Sequence, residues 1–191
     1  MGIKCIIHCP EKSVAWAKNF FPGLDPYLLR FGNKPYLEFL IDFCILNGIS
    51  DVRIASDNPS KEIYDLLGDG KKYGVNLSFA AIMPDSSPRM VVEKNMAFCK
   101  KNGLLLLSGF FWIDYNKNSM TPISIAPDQA VGGAVSPDNH YFLIGEQRLH
   151  DFEATHTPEM PLTTFPVDSI KDFYVRCMEL VYKETGNYNL P

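Results

Sequence analysis

The chain has 191 residues with a formal net charge of −4, and 46% of its residues are hydrophobic and 21% charged, the composition of a globular chain of one-domain size. Its basic residues are scattered, with Lys71-Lys72 and Lys100-Lys101 as the only doublets, so there is no electrostatic footprint for nucleic acid, and no apolar run approaches a membrane span. The start lacks the basic and apolar stretches of a secretory signal, so the five Cys, with no CxxC pair, read as reduced thiols in a cytoplasmic protein.

IKCIIHC (3–9) is a short apolar run rich in isoleucine and reads as a buried parallel strand. Cys5, His8 and Cys9 are close in sequence, but no second pair of ligands stands at a zinc spacing, so the cysteines read as small buried hydrophobes. EKSVAWAKNFF (11–21) is expected as a short helix closed by Pro22-Gly23, and LDPYLLRFGNKP (24–35) as irregular chain. KPYLEFLIDFCILNG (34–48) predicts a mostly buried helix, with Pro35 at its first position and Gly48 just past its end. DVRIAS (51–56) is the next strand. Asn58 then caps, and Pro59 starts, a helix that ends before Gly68. GVNLSFAAI (74–82) alternates as a strand. SPRMVVEKNMAFCKKNG (87–103) repeats the Ser-Pro start and Gly stop around an apolar stripe of Val92, Met96 and Cys99. LLLLSG (104–109) is the fourth strand and runs into Phe110, Phe111 and Trp112.

Strands alternating with helices predict an α/β fold of three layers, built on a doubly wound, mostly parallel sheet. Residues 117 to 167 hold six prolines and short β-like pieces (TPISIA, AVGGAV, HYFLIG, LTTFPV), expected as a small antiparallel addition on one side. DSIKDFYVRCMELVYKETG (168–186) is expected as a closing helix capped by Asp168 or Ser169, docking on the sheet through Ile170, Phe173, Cys177, Leu180 and Val181. His140, His150 and His156 fall in the irregular half, either as surface residues or as hydrogen-bond partners of a ligand. The whole reads as one domain, with a nucleotide-binding half at 1–116, a reduced β-rich half at 117–167 and the closing helix. The NYNLP tail has no stop of its own, as in a frayed terminus or a piece cut from a longer protein.

The segment FGNKPYLEFLIDFCILNGISDVRIASDNPSKEIYDLLGDGKKYGVNLSFA resembles the sugar-phosphate nucleotidylyltransferases, or NDP-sugar pyrophosphorylases. The residues that carry the resemblance are Lys34-Pro35, Gly48-Ile49, Asp51, and Leu67-Gly68-Asp69-Gly70 with Gly74-Val75. FPVDSIKDFYVRCMELV is similar to the family's Trp-x-Asp-x-Gly-Thr-x-Glu-Asp-Tyr element. The resemblance implies the Rossmann-like nucleotide-diphospho-sugar transferase fold. It also implies a reaction in which a sugar 1-phosphate attacks the α-phosphorus of an NTP and releases pyrophosphate, with Mg²⁺ and basic groups neutralising the triphosphate.

Four features of that family are altered in this sequence. In place of a Gly-rich loop ending in Arg, the first strand leads into HCPEKSVAW, where Pro10 removes a donor and Lys12 supplies the nearest charge. Eight positions before the Lys-Pro turn the family has Lys; here the position is Pro26, beside the anionic Asp25. The small turn that opens the third helix is SSPRMVV (86–92), whose Ser86, Ser87 and Arg89 suit either an anion at a helix N-terminus or a plain capped helix. In the Gly-Asp that binds Mg²⁺, Gly109 keeps the glycine and Phe110 takes the place of the carboxylate; a hard cation needs oxygen ligands.

Together these departures imply a relative of such enzymes that is weak or inactive and used for binding, regulation or assembly. The alternative is an active nucleotidylyltransferase in which Lys12, Arg30, Arg89 and Asp114 supply the charge. His8, Lys12, Ser87, Arg89 and Gly109 are carried forward as nucleotide- or phosphate-binding candidates and Asp114 as a metal candidate. Mg²⁺ is the expected ion of an active form. A nucleotide or nucleotide-sugar is the expected ligand, and a C-terminal domain or second copy of the chain a further expected partner.

Overall fold

The computed structural model describes residues 2–58, 60–115, 121–153, 158 and 162–185; the expectations for Pro59, His156 and the NYNLP tail lie outside them. In chain order, β1 (Ile3–Cys9) leads through a 3-10 turn at Glu11–Val14 into α1 (Ala15–Lys18). A second 3-10 turn at Pro26–Leu28 precedes β2 (Arg30–Phe31), β3 (Lys34–Pro35) and α2 (Tyr36–Leu46). β4 (Asp51–Ser56), α3 (Lys61–Leu67), β5 (Asn76–Ala81), α4 (Pro88–Lys94), α5 (Met96–Cys99) and β6 (Gly103–Ser108) follow. The remaining elements are β7 (Phe111–Asp114), β8 (Ala130–Ser136), β9 (Asn139–Ile144), β10 (Thr163–Pro166) and α6 (Ile170–Thr185).

The central sheet has the order β5-β4-β1-β6-β9-β8. β5, β4, β1 and β6 are parallel, β9 is antiparallel to β6, and β8 is antiparallel to β9. Helices cover both faces, as expected for a three-layer α/β fold. Cys5, Ile7, Val52, Ile54, Leu105 and Leu107 pack with Leu37, Leu40, Ile41 and Cys44 of α2 on one face. Ile6, Leu104, Leu106, Phe142 and Ile144 pack with Val91, Val92, Cys99 and Phe152 on the other. β6 is buried on both faces along its whole length, which is why it is a run of leucines rather than an alternation. The same pleat sends Cys5 and Cys9 to the α2 face and His8 to the opposite one.

The β-like pieces of the second half divide. AVGGAV and HYFLIG become β8 and β9 and extend the central sheet, while LTTFPV becomes β10 and pairs with β7 in a separate ladder. TPISIA (121–126) forms no strand; its Ile123 N–H is taken instead by the side chain of Asn47 at 3.0 Å. The expected helix at 11–21 is shorter, because it starts as a 3-10 turn and gives way after Lys18. Pro35 is not the first helical residue: Lys34-Pro35 pairs with Arg30-Phe31 in a small hairpin around Gly32, so α2 begins at Tyr36. The helix at 87–103 breaks at Asn95, whose buried amide donates to the Val91 carbonyl at 2.8 Å and accepts from Arg53 at 3.2 Å.

α6 is capped by Ser169, whose hydroxyl accepts from the Asp172 N–H at 3.2 Å while Asp172 takes the Ser169 hydroxyl at 2.7 Å. It docks not on the central sheet but on an aromatic layer above it: Phe173 meets Trp16, Phe21 and Phe31 with ring centroids 6.2, 5.8 and 4.9 Å away. Trp16 ties the same region down by donating to the Val167 carbonyl at 3.1 Å.

The cap of α3 also differs from expectation. Ser60, not Asn58, caps the helix, its hydroxyl accepting from the Ile63 N–H at 3.4 Å, while the Asn58 N–H donates to Ser56. Ser60→Ala is therefore expected to cost about 1 kcal/mol in urea unfolding, and Asn58→Ala less than half of that.

Candidate functional site

In an open sheet, ligands bind outside the carboxyl ends of the strands where the chain reverses its direction of winding. Here that point lies between β1, which is followed in the sheet by β4, and β6 on its other side. The cross-strand register sets His8, Ser108 and His140 in one row at this edge. His8 Nδ1 is 2.8 Å from Ser108 Oγ. His8 is 1% exposed, and its Nε2 has no hydrogen-bond partner among the described residues. Burial first, then the nearby Lys12 and His140, lower its pKa to about 4. The ring is therefore neutral at physiological pH and supplies no charge to a phosphate.

The turn after β1 is held by protein groups. The Glu11 N–H donates to both carboxylate oxygens of Asp57, at 3.0 and 3.2 Å, so a carboxylate already sits on a backbone donor that a phosphate would use. Burial raises the Asp57 pKa. Lys12 reaches Asp138 at 2.9 Å, and the Ser13 hydroxyl donates to the Asp138 carbonyl. Asp25 caps the next turn by accepting from the Tyr27 N–H at 2.9 Å. Beside it runs a groove of about 330 Å³ in which Asp25 and Glu62 stand opposite Lys18, itself paired with Glu11.

β6 ends at a turn built around Asn139. Gly109 has φ 106°, and a Cβ there would lie 2.0 Å from Asn139 Oδ1, so the approach of this amide requires glycine. The Phe110 N–H donates to Asn139 Oδ1 at 2.7 Å, and Asn139 Nδ2 donates to Ser136 Oγ at 2.8 Å and to Asp168 Oδ1 at 2.7 Å. Asn139 is fully buried. Phe110 projects into the aromatic layer, with Tyr36, Tyr27, Phe31 and Trp16 at 4.3, 5.6, 5.9 and 6.2 Å. Tyr36 donates to the Phe111 carbonyl and accepts from the Phe111 N–H, and Trp112 stacks near Phe39 and Phe31. All three aromatic residues after Gly109 are core residues.

Of the sequence candidates, the structure brings His8, Lys12 and Gly109 to this edge. Ser87 caps α4 by accepting from the Met90 N–H, and Arg89 pairs with Glu93 on that helix, which covers the face of the sheet opposite α2. Arg30 lies in the β2–β3 hairpin and donates to the Asn33 carbonyl. Asp114 ends β7 and lines a separate groove of about 330 Å³ against α6, with Trp112, Phe165 and Arg176. The edge does not fit a hard dication: Phe110 offers no oxygen, an amide N–H₂ and a hydroxyl already point at Asp168, and Asp138 holds Lys12. Among the described residues no cluster of three or more His, Cys, Asp or Glu is arranged to hold a metal. Asp57, Ser108, Asn139 and Asp168 shape the edge but carry no motif; the one local signal was the Pro-Asp-Asn turn at 137–139, which marks a tight turn and says nothing of its partner.

Two outcomes follow from this geometry. Because the folded pKa of His8 lies below the ordinary value of 6.5, the unfolded chain binds more protons between pH 6.5 and 4. Its contribution is complete above pH 6.5 and is lost as the pH falls toward 4, a change on the order of 3 kcal/mol. In His8→Gln the slope of unfolding free energy against pH across that window should flatten. Asn139→Ala leaves the Phe110 N–H and the Asp168 carboxylate short of partners and should cost about 2 kcal/mol in urea unfolding.

No family model matches the chain, and no curated protein matches it in sequence. Solved structures do match its fold. A Bacillus anthracis protein assigned as a glucose-1-phosphate thymidylyltransferase, solved with sucrose, superposes with a TM-score of 0.68 at 12% identity over 100% of this chain and 98% of that one. HddC from Yersinia pseudotuberculosis gives a TM-score of 0.61 at 10% identity over 94% of this chain and 100% of its own. The same protein complexed with GMP-PN gives 0.58 at 7% identity, with the same coverage. The chain thus has a nucleotidylyltransferase-like α/β fold.

Proposed function

We propose that this nucleotidylyltransferase-like domain holds a nucleotide or nucleotide-sugar at the carboxyl edge of β1 and β6 without transferring the nucleotidyl group, and serves as a binding, regulatory or assembly module. The observation that carries this reading is the Phe110 turn. Its side chain is committed to the aromatic core and its N–H to Asn139, at the position where the resembling enzymes place a metal-binding carboxylate.

Further support comes from the β1 turn, where Asp57 takes the Glu11 N–H and Asp138 takes Lys12. Nucleotidyl transfer needs the triphosphate screened and the attacking phosphate held in line. An edge that presents Asp25 and Asp57, and whose Lys12 is already paired, raises the energy of that charge instead of lowering it. Binding of the less charged parts of a nucleotide or nucleotide-sugar remains compatible with such an edge.

The test is pyrophosphate release from each common NTP with a panel of sugar 1-phosphates and Mg²⁺, alongside thermal shift with the same compounds. We expect no release above background, and a melting shift of roughly 5 to 10 °C for a ligand at about a hundred times its dissociation constant. Release that is lost in Lys12→Ala and Asp114→Ala would establish a rewired enzyme in its place. A flat thermal panel would refute the ligand.

A further inference from the structure

A groove lined by described residues lies away from this edge. It has a volume of about 660 Å³ and runs between the end of α5 and the 3-10 turn at Glu146–Arg148 that follows β9, a size usual for small-molecule sites. Lys100-Lys101 precedes the first residue of β6, whereas Gly109 follows its last. A six-residue strand separates the two by about 20 Å.

The lining is amphipathic. Met96, Ala97 and the buried Leu149 form an apolar floor, and Lys100, Lys101 and His150 stand around it with Glu146. Among the described residues none of the ion pairs involves Lys100 or Lys101. Two ammonium groups with no ion-pair partner among the described residues thus line the groove together with one carboxylate. Lys101 also has φ 64°, a left-handed position just past a helix where glycine sits without strain. A lysine there keeps its charge at the groove against its own backbone preference. Stabilising the end of α5 does not account for it, because α5 is a single turn with little dipole to complement.

We propose that this groove is a second ligand site, taking a phosphate monoester whose phosphoryl group sits between Lys100 and Lys101 and whose apolar body lies on Met96, Ala97 and Leu149. The phosphate oxygens accept from the two ammonium groups and from His150, and Glu146 accepts from a donor on the ligand.

The experiment uses phenyl phosphate as the probe, followed by amide chemical shifts of the ¹⁵N-labelled chain. Saturable shifts are expected at 96–101 and 146–150, at concentrations up to about 10 mM. The double variant Lys100→Gln with Lys101→Gly removes both charges and gives the left-handed position the residue it favours; it should remain folded and bind about tenfold more weakly. Inorganic phosphate, which lacks the apolar body, should bind more weakly than phenyl phosphate. Absence of saturable shifts, unchanged binding in the variant, or equal binding of inorganic phosphate would each overturn the proposal. So would shifts confined to 9–13 and 109–111, which would assign the probe to the carboxyl edge. A failure to bind nucleotide at that edge leaves this groove untouched.

Discussion

The Asn139 amide holds three parts of the chain in one place. One oxygen takes the N–H of the residue after Gly109, and one nitrogen serves Ser136 and Asp168. Those partners belong to the end of β6, the β8–β9 hairpin and the segment that enters α6. In a fully buried position such an amide is stabilising only when all of its partners are present. The bracket therefore fixes both the positive-φ glycine turn at the mouth of the crevice and the entry of the closing helix.

The aromatic layer depends on that bracket. With its N–H held by Asn139, Phe110 is turned into the space between α1, α2 and the β2–β3 hairpin, where Tyr27, Tyr36, Phe31 and Trp16 surround it. Phe173 of α6 meets the same rings from outside. The chain has thirteen Phe and nine Tyr, and several of them close this one layer. Edge-to-face and tilted contacts of this kind add to the area they bury, so the region beside the crevice gains stability where a catalytic site would carry open polar space.

The electrostatics of the edge follow from the same packing. His8 is neutral because it is buried and faces Lys12 and His140, and burial likewise lowers the pKa of His140. Lys12 is balanced by Asp138, and Asp57 satisfies a backbone donor. The charges at the carboxyl edge are thus mostly spent on holding loops. Lys100 and Lys101, which form no ion pair among the described residues, stand at the opposite end of β6.

Local pattern alone determined the alternation of strands and helices, the double winding of the sheet and the buried leucine strand, because burial on both faces and Pro/Gly punctuation leave marks in a few adjacent residues. It also marked Ser87 as a cap and Gly109 as a special turn. The substitution of Phe110 for a carboxylate was legible as a loss of chemistry. Its destination in the aromatic layer was not, since that depends on Asn139, Tyr36 and Phe173, which are 29, 74 and 63 residues away in sequence. The break at Asn95 involves Arg53 from another segment, whereas the cap at Ser60 and the pairing of Pro35 are local choices among adjacent turn residues that composition alone does not rank. The groups around the crevice, and the groove at Lys100 and Lys101, came together only through parallel pairing and helix packing. Side chains that meet across a sheet have no fixed spacing along the chain, and only the tertiary structure decided which of them share a site.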